Sequence, residues 1–187
     1  MTKIFVTGPQ RSGSTFVANC LSIHFGIPLI DEMEFDAHFY GMFKFVASKH
    51  ESWVVHGPAL FHKVFDVLSD FPDVTFVIVR RDVEEILRSQ ERIHWDPRIE
   101  EIAMNKESTD TRPVAQMKYD CWDKWKKIIP SYVEYQYSDF KNHPLWVPED
   151  KRKNFLPKQW KVDESAEEIV VNIDGDGLDR DIHSSSL

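Results

Sequence analysis

Short apolar runs alternate along the chain with longer stretches whose apolar residues recur at helical spacing. Ile4-Phe5-Val6, Trp53-Val54-Val55 and Val74-Thr75-Phe76-Val77-Ile78-Val79 are β-branched or aromatic and nearly continuous, as strands buried on both faces are. The pattern predicts strands over 3–7, 27–30, 53–56, 74–79 and 132–137. It predicts helices over 14–25, closed by Gly26, over 60–68, over 82–92, and from Pro113 onward, where proline suits the first helical turn. In that last helix Val114, Met117, Cys121, Trp125 and Ile128 form the apolar stripe. Residues 31–48 read as a helical or irregular segment rich in aromatics (Phe35, Phe39, Tyr40, Phe43, Phe45), and residues 93–112 as an inserted loop of the length that lids and binding elements have. Alternating strands and helices imply an α/β fold, a parallel sheet of about five strands flanked by helices. Beyond residue 162 the character changes to an acidic run, a short edge-strand pattern over 169–173 and a polar end. The expected organisation is one α/β domain over 1–162 and an acidic C-terminal extension over 163–187.

The first strand opens into Gly8-Pro9-Gln10-Arg11-Ser12-Gly13-Ser14-Thr15, directly before a helix. A Gly-containing loop at that place cradles phosphate, because backbone N–H groups and the helix dipole both favour an anion there. The spacing fits the P-loop pattern G-x-x-x-x-G-K-[ST] except that Ser14 stands in the lysine position. The basic group lies inside the loop instead, at Arg11. The fourth strand runs into Arg80-Arg81-Asp82 and a helix carrying Ser89, with Asp82 and Glu85 spaced as a capping box.

Arg11 to Phe16 read R-S-G-S-T-F, and Arg81 and Ser89 are eight positions apart after a strand. These two segments together resemble the P-loop sulfotransferase family, whose first signature is P-[KR]-S-G-[ST]-[ST]-[WF] and whose second is a strand ending in Arg with a Ser eight positions on. The resemblance covers residues 3 to about 140. It implies an enzyme that moves a sulfonyl group from 3′-phosphoadenosine 5′-phosphosulfate (PAPS) to a hydroxyl or amine, with no metal. It further implies Arg11 on the leaving phosphate, Ser12, Gly13, Ser14 and Thr15 on the 5′-phosphate, Phe16 against the adenine, and Arg81 with Ser89 on the 3′-phosphate. His56, ending the third strand, matches the family's Lys-Thr-His-Leu-Pro and is the expected general base, with Glu32 and Glu34 as the carboxylate alternatives. Val54 stands where that run has its lysine. Lys151-Arg152-Lys153 is the counterpart of a basic C-terminal run that grips the 3′-phosphate in cytosolic members. Two other readings stand beside this one: a P-loop kinase acting on a nucleotide or metabolite, and a non-catalytic nucleotide-binding or interaction module.

The formal net charge of −8 over 187 residues argues against a nucleic-acid partner, so an anionic ligand needs a local basic pocket. The expected partner is a small-molecule or carbohydrate acceptor, gripped by loops over 35–45 and 93–112; oligomeric state is left open. Cys20 and Cys121 have no metal-site or disulfide spacing and read as reduced thiols. Asp174-Gly175-Asp176-Gly177 resembles part of a calcium loop but lacks the glutamate that closes one. No apolar run reaches the roughly 18 residues of a membrane span, and the first strand begins at once, which points to a cytoplasmic protein.

Overall fold

β1 (Lys3–Thr7), β2 (Leu29–Asp31), β3 (Trp53–His56), β4 (Thr75–Arg80) and β5 (Tyr132–Gln136) pair in parallel in the order β2-β3-β1-β4-β5. These strands belong to a computed structural model that describes residues 1–146. The helices are α1 (Ser14–Phe25), α2 (Tyr40–Ala47), α3 (Val64–Asp70), α4 (Val83–Glu91), α5 (Arg98–Ala103) and α6 (Val114–Trp125), with 3-10 turns over Pro58–Lys63 and Tyr137–Asn142. The expected P-loop-type α/β fold is present. The expected domain boundary at 162, the edge strand over 169–173 and Lys151-Arg152-Lys153 lie outside the described residues.

Successive strand residues point to opposite faces, and the two faces carry separate cores. Phe5, Val55, Phe76 and Ile78 face α2, α3 and α6 in one core with Phe43, Trp53, Leu60 and Trp122. Val6, Val54, Val77 and Val79 face α1 and the last 3-10 turn in the other, with Val17, Ala18 and Phe140. Burial on both faces is why these strands read as continuous apolar runs. Register then lines up the strand ends. Val6 pairs with His56, Asp31 with His56, and Thr7 with Ile78, so Asp31, His56, the loop after Thr7 and the residues after β4 share one edge. In parallel sheets the carboxyl edge is where sites form.

Several elements differ from the pattern. β2 begins after Pro28, which lacks an N–H and only accepts, from the Val54 N–H at 2.9 Å. The helix expected over 60–68 is a 3-10 turn followed by α3, broken at Leu60. Residues 93–112 are not a bare loop: Asp96 accepts the Arg98 N–H at 3.0 Å, and the good helix formers after Pro97 make α5. Of the aromatics over 35–45, Phe35 and Phe43 are core residues, while Phe39 and Phe45 are exposed. On α6, Val114 and Met117 are buried as expected, yet Ile128 lies past the helix end and is 70% exposed. Lys118, Tyr119 and Trp122 are buried in its place. Cys20 and Cys121 are free thiols, each with its pKa pushed up by burial. Among the described residues no helix is long and apolar enough to cross a membrane.

Tyr119 joins α6 to the sheet edge. Its hydroxyl donates to the Val79 carbonyl at 2.9 Å and accepts the Arg81 N–H at 3.0 Å. Burial pushes its pKa up to about 12, against the smaller opposing effects of the Arg81 N–H and the neighbouring arginine charges. The unfolded phenol ionises near about 10, so the folded state keeps its proton between the two values. Tyr119 therefore stabilises the fold fully below about pH 10, and that contribution falls as pH rises towards 12. Tyr119→Phe leaves the Arg81 N–H and the Val79 carbonyl without this partner and is expected to cost about 1–3 kcal/mol. Urea denaturation at neutral pH measures the loss. The same denaturation at alkaline pH is expected to show wild-type stability dropping more steeply than that of the Phe variant.

Candidate functional site

The chain leaves β1 at Thr7 and enters α1 at Ser14, and the turn between them carries three left-handed residues: Gly8 (φ 120°), Arg11 (φ 70°) and Gly13 (φ 105°). Left-handed residues interspersed in a turn direct successive N–H groups into a concave nest for an anion. At Gly13 the positive φ coincides with a close approach: a Cβ there would lie 2.8 Å from the Tyr137 ring. Arg11 has no such freedom, and a non-glycine residue in this region stores strain that its neighbours must hold. Arg81 Nη1 donates to the Arg11 carbonyl at 2.9 Å, and Arg11 Nε donates to Ser89 Oγ at 3.2 Å. No side chain caps α1, so its first N–H groups face the loop's concavity. Ser12 is fully buried with its hydroxyl unpartnered, and its N–H donates to the Pro9 carbonyl at 3.3 Å; it shapes the turn from within.

His56 sits beneath this loop, 5% exposed. Its Nδ1 is 3.0 Å from Asp31 Oδ2, and its Nε2 is 3.1 Å from Ser14 Oγ and 3.3 Å from Thr15 Oγ1. An ionised carboxylate only accepts, so Nδ1 carries the proton, and in the neutral ring Nε2 accepts from the two hydroxyls. Burial works to raise the Asp31 carboxyl, but the hydrogen bond and field of His56 and the Met33 N–H outweigh it and hold the pKa low. Both ring nitrogens are therefore engaged. Glu32, beside it, accepts the Ala59 N–H at 3.2 Å, and burial raises its pKa. Glu34 is exposed and accepts the Asp31 N–H at 3.0 Å, closing the turn after β2.

Arg81 and Ser89 are brought to one place, around Arg11. The Arg81 guanidinium lies 4.0 Å over the Tyr137 ring and pairs with Glu85 at 3.1 Å. Asp82 caps α4 by accepting the Glu85 N–H. Arg80 turns away from the loop, to Glu134 at 2.6 Å and to Asp123, on the α6 side of β5. Phe16 packs among Phe140, His143 and Trp146, with ring centroids 5.2–5.4 Å away.

Three contributors do not stand out along the chain. Asp31 reads only as the residue that follows a strand. Gln10 reads as a loop position, yet its side chain accepts from Lys118 Nζ at 2.8 Å, and its carbonyl accepts from Gln90 at 3.4 Å. Lys118 is 2% exposed and paired at 2.6 Å with Glu100, itself 4% exposed; burial pushes the lysine pKa down, opposed by Glu100. The readable signal is that Lys118 follows Val114 by four, on the apolar face of α6. Beside Gln90 and Glu100 is a cavity of about 320 Å³, also lined by Leu87, Trp95, Pro97 and Val114.

No protein-family model matches the sequence, and no curated protein matches it. Solved structures similar in fold include an uncharacterized protein from Eubacterium ventriosum, at 16% identity and a TM-score of 0.41, covering 72% of this chain and 89% of that one. A shikimate kinase from Bacteroides thetaiotaomicron matches at 11% identity and a TM-score of 0.39, covering 71% and 85%. A gluconokinase from Sinorhizobium meliloti matches at 13% identity and a TM-score of 0.39, covering 76% and 98%. Where these structures carry a named activity it is that of a kinase, and the expectation of a PAPS-dependent sulfotransferase is corrected accordingly. The first of the two signatures is the loop between β1 and α1, and in the second Arg81 and Ser89 buttress Arg11 within that loop. What stands is a P-loop-type α/β fold with a glycine-containing loop between β1 and α1.

Proposed function

We propose that this protein is a P-loop phosphotransferase, which binds a nucleoside triphosphate on the 8–15 loop and phosphorylates the hydroxyl of a small molecule. The observation that carries the reading is the loop geometry. Three left-handed residues and an uncapped helix start present N–H groups to one concavity, at the carboxyl edge of a parallel sheet. Ser14 stands where such loops have lysine, and Arg11 is the cation that serves the phosphates instead.

Magnesium fits the oxygen donors here. The Ser14 and Thr15 hydroxyls, at the Nε2 edge of His56, would hold it together with the substrate's phosphates, while the Asp31 carboxylate lies at the opposite, Nδ1 edge of the ring and serves to orient it. When bound, the ion neutralises charge on the β- and γ-phosphates. His56 Nε2, with Nδ1 protonated, accepts a hydrogen bond shared between the two hydroxyls, which leaves oxygen lone pairs of Ser14 and Thr15 free. In the transfer step the acceptor oxygen bonds to the γ-phosphorus as the bond to the β-phosphate oxygen breaks. Glu32, whose pKa is raised by burial, takes the hydroxyl proton. The acceptor is assigned to the carboxyl edge of the sheet on the Glu32 side of the loop, and the cavity lined by Gln90, Trp95 and Glu100 borders the loop on its other side, through Gln10.

Calorimetric titration with ATP and magnesium is the test. Wild type is expected to bind, and Arg11→Ala to lose about 1.5–3 kcal/mol, roughly 10- to 150-fold in affinity. No heat of binding from folded wild type overturns the reading. Gly13→Ala is expected to abolish ATP binding while the far-UV circular dichroism stays that of wild type, because the added methyl meets Tyr137 and a strained φ costs about 1–3 kcal/mol more. Wild-type affinity in that variant would show that the loop shape is irrelevant to the ligand.

A further inference from the structure

We infer that Lys118 is a positioning residue for the phosphate-binding loop: from α6 it turns the loop's oxygen atoms away from the anion face and ties the loop to α5. The inference deepens the nucleotide reading above and rests on it for the identity of the ligand.

An ammonium group has three N–H donors and no acceptor. Lys118 Nζ has four oxygens around it: Glu100 Oε1 at 2.6 Å, Gln10 Oε1 at 2.8 Å, the Pro58 carbonyl at 3.0 Å and the Gly8 carbonyl at 3.3 Å. Two of the four belong to the start of the loop, one to the turn after β3 and one to α5. A carbonyl oxygen directed at an ammonium ion is not directed at a phosphate, which it would repel. The Gly8 carbonyl and the Gln10 amide oxygen are both oriented in this way, and the N–H groups of the turn are left for the anion. Lys118 thus acts on the loop from its protein side, where a lysine at position 14 would act from the ligand side. Glu100 neutralises its charge, so the contribution is one of orientation.

The Lys118–Glu100 pair is not by itself what calls for this arrangement. Replacing a buried ion pair with apolar residues of similar size is often neutral or stabilising. A methionine at position 118 and a leucine at position 100 fill much the same space but donate nothing to the Gly8 and Pro58 carbonyls or the Gln10 amide oxygen, so what the lysine adds is the hold on those three oxygens. Glu100 also lines the cavity beside Gln90, and through Lys118 the wall of that cavity and the loop share one hydrogen-bonded centre.

The experiment compares wild type with the double variant Lys118→Met/Glu100→Leu. Amide hydrogen exchange of residues 10–14 is read without ligand, and ATP–magnesium affinity by calorimetry. The expected result is a folded variant with a lower thermal midpoint, because the Gly8 and Pro58 carbonyls and the Gln10 amide oxygen lose their donor, with the loop amides exchanging roughly tenfold faster than wild type while the sheet amides keep their protection, and ATP affinity roughly tenfold lower. Wild-type exchange rates in the folded double variant overturn the inference. If wild type binds no ATP, the nucleotide reading falls, and the exchange rates still decide the role of Lys118. If the double variant does not fold, Glu100→Gln takes its place: faster exchange confined to residues 10–14 and α5 supports the inference, and unchanged exchange overturns it.

Discussion

A lysine ammonium removed almost wholly from water sets the terms for the centre of this molecule. An ion in that position costs several kcal/mol of lost hydration and is tolerated only where a counter-ion and further oxygen atoms replace the water. For Lys118, on α6, these come from three separate parts of the chain: the loop after β1, the turn after β3 and α5. Each must arrive within hydrogen-bond reach at once. The segment after α4, which has little core of its own, is drawn in through a single buried carboxylate, Glu100. The same requirement places the start of the phosphate loop.

On the other side of the loop the chemistry is that of oriented hydroxyls. Ser14 and Thr15 open α1, and the ring that accepts from them ends β3 and is itself oriented by the last residue of β2. Parallel register makes this possible, because Asp31 and His56 are paired positions on neighbouring strands. Arg11, Arg81 and Ser89 close the remaining side, with Tyr137 filling the space that only a glycine at position 13 leaves. A chain with a formal charge of −8 thereby concentrates two arginines beside one helix start, where an anion is favoured locally despite the overall field.

Much of this is legible along the chain. All five strands and the helices beginning at Ser14 and after Asp82 and Pro113 follow from apolar runs, spacing and punctuation, and the phosphate loop from its glycines. Arg11, Ser14 and His56 stand out by type and place, though as parts of a sulfonyl-transfer site. That chemistry rests on two short signatures. One is the phosphate loop of the fold at large, and the other is a strand-end arginine whose contacts here are internal. Residues 93–112 read as a bare loop because α5 is short and holds to the protein through the buried Glu100 and one core contact, Met104, which make no apolar periodicity.

The sequence by itself determined the parallel sheet, the loop between β1 and α1 and the residues that must bend it, because burial on both faces and positive φ each demand particular residue types locally. Only the tertiary structure decided which groups meet there. Asp31 on His56, Arg81 on the Arg11 carbonyl and Lys118 on Gly8 and Gln10 join residues 25 to 110 positions apart. The cost of leaving a buried charge or donor unpaired selects those partners, and that cost depends on what lies nearby in space, which spacing along the chain does not encode.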